Sequence, residues 1–200
     1  MNLPMSKIGR FGVISAILSL LLGLTLAVFP AQGSAMAIAS TDNVSMMALS
    51  SAKAYVKSTS DPDIVFGEAV FTELTEGLEI AVILNNAPPG THAFHIHTVG
   101  SCDENGKAAK GHFNPADVQH GYLPEDGFDE SHAGDLGNIE ISDDGVGLLD
   151  LVIPGLTIES GEYAIAQRSV ILHAQPDDFG QPTGNAGDRL GCGVINVTAS

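Results

Sequence analysis

The chain has 200 residues, with 24 Asp+Glu against 8 Lys+Arg and a formal net charge of −16. Such a surface repels a phosphate backbone, which excludes nucleic acid as a partner. Apolar residues at 44% suffice for one domain with a real core, while 23 glycines, 10 prolines and no tryptophan point to many turns.

Lys7 and Arg10 precede an apolar run from Val13 to Phe29 that only serine, glycine and threonine interrupt. Pro30 ends it, and Ala35-Met36-Ala37 supplies the small residues of a cleavage site after Ala37. This is the order of a secretory signal peptide over residues 1–37. The same run is just long enough to span a bilayer as an uncleaved anchor. Export places the mature chain in a periplasmic, extracellular or other non-cytoplasmic space. Residues 38–51 are small and polar with no period, a flexible leader.

The domain then runs from 52 to 200. Ala52–Ser58 is a first strand, and residues 65–72 alternate with mixed faces as a second. Leu78, Ile80, Val82 and Leu84 alternate strongly as a third. After the turn at Pro88-Pro89-Gly90 comes a histidine strand, His92-Ala93-Phe94-His95-Ile96-His97. Side chains alternate across a strand, so His95 and His97 project from one face and His92, Phe94 and Ile96 from the other. His95 and His97 make half a metal site, and His92 reads as a core histidine bonded to backbone. From Gly100 to Asn138 the pattern disappears into a long glycine-rich loop. Such a loop in a compact domain has a function. Strands resume at 146–153, 169–173 and 193–197, with a second irregular loop over 177–190. Short strands with two long loops imply an all-β antiparallel sandwich or flattened barrel. The only cysteines, Cys102 and Cys192, read either as two buried thiols or, given export to an oxidising space, as one disulfide.

All seven histidines lie between 92 and 173. His112, His120, His132 and Asp135 offer three nitrogens and one carboxylate, a donor set that suits tetrahedral Zn²⁺. His95, His97 and His173 offer nitrogens from strands, which suits Cu²⁺.

Four segments in order carry a resemblance: His92 to His97, Gly111-His112-Phe113-Asn114-Pro115, His132-Ala133-Gly134-Asp135-Leu136-Gly137-Asn138, and Gly184 to Gly193. They resemble copper/zinc superoxide dismutase over about residues 52–198. The resemblance implies an eight-stranded, Greek-key, immunoglobulin-like sandwich and dismutation of superoxide. It implies that His95, His97, His112 and His173 bind copper and that His112, His120, His132 and Asp135 bind zinc, with His112 as the bridge. Asp177 matches the carboxylate that joins a copper ligand to a zinc ligand, with Asp178 the other candidate. Cys102 and Cys192 match the family disulfide. Arg189 matches the cation that attracts the anion beside copper, and together with His112 it is the catalytic candidate. A homodimer and a copper donor protein are compatible with the resemblance.

The sequence also departs from the family pattern. Ala93 stands where glycine is usual, and the interval from His120 to His132 is a few residues longer. No lysine follows Asp177, while Asp177, Asp178 and Asp188 surround Arg189. The expectation is a weaker ionic-strength dependence than is usual for the family, unless Lys107 or Lys110 folds towards the copper mouth. The competing reading is a copper-buffering or copper-delivering protein on the same fold.

Overall fold

The computed structural model describes residues 50–198. The expected signal peptide and residues 38–49 of the leader lie outside the described residues. Ser51, expected in the leader, instead opens the first strand.

The strands are β1 (Ser51–Ser58), β2 (Val65–Glu73), β3 (Leu78–Leu84), β4 (Gly90–His97), β5 (Asp135–Ile141), β6 (Gly147–Ile153), β7 (Ser169–His173), β8 (Arg189–Val194) and a short β9 (Asn196–Val197). The described helical structure is one α-turn, α1 (Leu123–Asp126), and a 3₁₀ turn at Lys107–Ala109. Hydrogen bonding runs β2-β3-β6-β5-β4-β7-β8-β1, and β1 pairs again with β2. Every ladder is antiparallel, so eight strands close into a flattened barrel and β9 extends β1. The step from β3 to β4 crosses over β6 and β5 before the chain returns, which is the Greek-key order.

Period-2 patterning builds the interior. In β3, Leu78, Ile80, Val82 and Leu84 point inward and are buried, while Ile83 on the other face is exposed. Phe71, Phe94, Ile96, Leu136, Ile139, Val170 and Leu172 join the same core. Strands β4 and β7 differ, because β7 and residues His92–His97 of β4 are buried on both faces. Their inner faces meet the core, and their outer faces are roofed by the loops that follow them. A second small apolar cluster sits under that roof, where Ile171 packs on Ala109 and on the disulfide between Cys102 and Cys192. Closing that bond takes the disulfide branch of the two readings of the cysteines.

Two expectations need correction. Strand β5 falls partly inside the stretch read as a loop to Asn138. Its apolar residues Leu136 and Ile139 are three apart, because Gly137 takes φ +81 and the ladder with β4 shifts register between Ala93 and His95. A bulge of this kind breaks the alternation that marks a strand. The last strand also begins at Arg189 rather than Gly193, since Gly191-Cys192-Gly193 carries no apolar alternation to reveal it.

Candidate metal centre

The site lies on the outer face of β4 and β7 under the two loops. Backbone stitching fixes the first loop to β4: Phe113 N–H donates to Ile96 O at 2.9 Å, and Thr98 N–H donates to Gly111 O at 3.0 Å. His112 therefore lies opposite His97 in an antiparallel bridge. His95 and His97 come from β4, His173 from the end of β7 and Asp135 from the start of β5. The first loop supplies His112, His120 and His132.

These residues form two buried clusters whose potential ligand atoms lie within 4.8 Å of one another: His95, His97, His112 and His173, and His112, His120, His132 and Asp135. All eight ligand assignments made from the sequence meet here, and His112 belongs to both groups. Its Nδ1 lies 2.8 Å from Asp135 Oδ1, which leaves Nε2 for the first cluster.

Hydrogen bonds assign the ring nitrogens. A carbonyl oxygen only accepts, so His97 Nδ1–H donates to Lys110 O at 2.8 Å and His173 Nδ1–H points to Gly187 O at 3.4 Å. Both Nε2 atoms then carry lone pairs, and they face each other at 3.2 Å. Such a contact is repulsive unless a cation sits between the lone pairs. His95 Nε2 is engaged by Asp177 Oδ2 at 2.8 Å, and its buried Nδ1 has no hydrogen-bond partner. His120 Nε2–H donates to Asp177 Oδ1 at 2.9 Å. His120 Nδ1 lies 2.8 Å from Asp135 Oδ2 but off the hydrogen-bonding direction, so it too is left without a bond. Orphaned buried nitrogens are rare in folded proteins. Here they converge on two points, one surrounded by four nitrogens and one by three nitrogens and a carboxylate. The first donor set fits copper and the second fits zinc.

The electrostatics agree. Burial, helped by the neighbouring His112 and His173, holds His97 well below the usual histidine range. Burial pulls His173 down to about 3, with His95 adding to the effect. Burial also pulls His112 to about 4 against the opposing hydrogen bond from Asp135. Neutral imidazoles are what a metal requires. At His120 burial acts downward, but the adjacent Asp135 and Asp177 carboxylates override it and raise the group to about 9, so a metal entering there displaces a proton. Three histidines hold the buried Asp135 carboxyl far below its usual range, and His120 and His95 do the same for Asp177.

Asp177, one of the two candidates offered by the resemblance, accepts from His95 and from His120 and so touches one ring of each cluster. Asp178 does not, being exposed and bonded to Asn185 and the Gly180 N–H. Asn138 went unread as a supporting residue: its Oδ1 accepts the Asp177 N–H at 2.7 Å and its Nδ2 donates to Asp177 O at 2.9 Å. His92 stays out of both clusters, buried, and donates from Nδ1 to His173 O at 2.8 Å. Gly184 has φ +72, and a Cβ there would lie 1.9 Å from Asp177 Oδ1, so only glycine closes the second loop over the carboxylate.

A family model described as copper/zinc superoxide dismutase (SODC) matches residues 65–195. The chain belongs to the copper/zinc superoxide dismutase family. It is 38% identical over 136 residues to superoxide dismutase (Cu-Zn) 1 of Aquifex aeolicus (strain VF5), covering 64% of this chain and 79% of that one. It is 41% identical over 125 residues to superoxide dismutase (Cu-Zn) 3 of Arabidopsis thaliana, covering 58% and 73%. Among solved structures, a double mutant of a SOD-like protein from Bacillus subtilis superposes with TM-score 0.63 at 32% identity, over 72% of this chain and 96% of that one.

Within this family frame, the mouth of the site is a recess of about 150 Å³ lined by His97, His112, His173, Thr183, Gly187 and Arg189, among others. The Arg189 guanidinium donates to the carbonyls of Gly106 and Lys110. Lys110 O thus serves both His97 and Arg189, and the disulfide pins the loop that carries it to β8. Lys107 and Asp188 share a neighbouring groove with Arg189. The residues between His120 and His132 form α1, and Phe128 stacks on Tyr163 with ring centroids 3.9 Å apart. This segment packs against the barrel through Leu123 and Phe128, and the ligand candidates on either side of it stay in their cluster.

Proposed function

We propose that this protein is a superoxide dismutase in which His95, His97, His112 and His173 hold copper and His112, His120, His132 and Asp135 hold zinc. The observation that carries this reading is His112, one ring shared between two buried clusters of different donor chemistry. Copper, when bound, supplies the one-electron exchange by which two superoxide anions and two protons become O₂ and H₂O₂. Every other part of the reaction falls to the chain. Arg189 sits at the recess with its guanidinium fixed by two carbonyls, so it presents a rigid positive charge to a small anion. His112 Nε2 faces that same recess and is the atom positioned to hold and release a proton. Asp177 keeps the rings of His95 and His120 oriented, and Asn138 keeps Asp177 in place.

Arg189 favours this reading over copper storage or delivery, because a guanidinium at the mouth repels an entering copper ion and attracts superoxide. Export is part of the proposal. It is supported by the basic, apolar and small-residue order of residues 1–37 and by the Cys102–Cys192 bond, a kind of bond that is commonest in oxidising compartments. The test is Arg189→Ala in metal-loaded protein. The expected result is a rate about 10 to 100 times lower with both metals still bound. An unchanged rate would remove Arg189 from the mechanism.

A further inference from the structure

His120 is held differently from the other ligand candidates. Its ring is set by Asp177, and its main chain is gripped by a second residue of the same loop. Gln181 Oε1 accepts the His120 N–H at 3.1 Å, and Gln181 Nε2 donates to His120 O at 2.7 Å. A carboxamide has the same donor and acceptor pair as a peptide group, so it satisfies both sides of the His120 backbone as a neighbouring strand would. The orientation of the amide is fixed by that complementarity, since a reversed amide would oppose donor to donor and acceptor to acceptor. Gly184 closes the same segment, its α-carbon so near that a Cβ would lie 2.7 Å from His120 Nε2. The residues from 177 to 184 thus hold His120 at ring and backbone together.

We infer that Gln181 is a positioning residue for the zinc-side cluster: its two-point grip on the His120 peptide sets where Nδ1 points, and thereby the affinity and geometry of that cluster alone. The inference rests on His120 being a metal ligand. The grip joins residues 61 apart in sequence, and both of its hydrogen bonds go to the His120 peptide. Gln181 is also exposed on its outer side, so replacing it disturbs no core. Its effect belongs with that of residues that orient a ligand without touching the metal.

The experiment uses Co²⁺ as a spectroscopic stand-in for zinc, with affinity read by chelator competition and geometry by the visible absorption bands. In Gln181→Met, which keeps the length of the side chain and removes both hydrogen bonds, zinc-side affinity is expected to fall about 10-fold and the bands to shift, while Cu²⁺ affinity at the other cluster stays within about twofold. Gln181→Asn, which keeps the amide but withdraws it by one methylene, should show the same selective loss and serves if the methionine variant does not fold. Co²⁺ affinity and bands matching the wild type would overturn the inference, as would equal weakening at both clusters. Loss of Co²⁺ binding in His120→Ala, with binding intact in the wild type, is the control for the ligand assignment. If the wild type takes up no Co²⁺, or His120→Ala binds it unchanged, that assignment falls and this inference falls with it.

Discussion

Asp177→Asn isolates one charge at the centre of the site. The carboxylate is buried, accepts from His95 and His120, and is held ionised far below the usual range. In metal-free protein it helps keep His120 protonated, and the shift of that group from 6.5 to about 9 is worth about 3 kcal/mol. Asp135 and Asp177 share the effect, so the Asp177 part is roughly half, about 1 to 2 kcal/mol. A histidine whose folded pKa is raised contributes stability that is fully present below its unfolded value and lost as pH rises through the folded value. Urea unfolding of metal-free wild type and Asp177→Asn should therefore differ more at pH 6 than at pH 10, by about 1 to 2 kcal/mol. The bond from the Phe179 N–H involves no titrating proton and adds a part that does not vary over this range. A difference that stays constant or grows from pH 6 to pH 10 would refute the charge argument.

Three further outcomes follow from the same geometry. His112 and His173 are held neutral down to about 4 and about 3, so the unfolded chain takes up protons first as pH falls. Metal-free stability should drop below pH 6.5 by up to about 1.4 kcal/mol per pH unit for each of them, and a flat profile from 6.5 to 4.5 would contradict this. The Cys102–Cys192 bond closes a separation of 90 residues, so the double serine variant should lose about 4 to 5 kcal/mol in denaturant unfolding if chain entropy dominates. Lys107 shares the groove of Arg189 with Asp188, whose carboxylate offsets part of the positive charge there. The dismutation rate should fall only shallowly as salt is added, and a steep loss would show that Lys107 steers the anion.

The sequence revealed the site better than it revealed the scaffold beneath it. His95 and His97 were legible because alternation along β4 is local, and the same rule sent His92 to the core, where it bonds the His173 carbonyl. Which histidines share a metal was not legible from alternation. His112, His120 and His132 lie in a loop without period; donor chemistry grouped them with Asp135, and only the resemblance put His112 in both sets. Strand β5 was hidden because a ligand, a left-handed glycine and an amide replace its apolar positions. Asn138 and Gln181 left no signal of function, since each acts on a backbone group 39 or 61 residues away. Side chain to backbone contacts at that range have no sequence period to expose them.

The central claim is that two buried clusters sharing His112 make a redox enzyme rather than a metal store. Purified protein loaded with one copper and one zinc should dismute superoxide far faster than the same ions in buffer, yielding one H₂O₂ for every two superoxide consumed. His112→Ala, compared with the wild type at equal bound copper, should lose most of that rate. A fully metallated wild type no faster than the free ions would contradict the account.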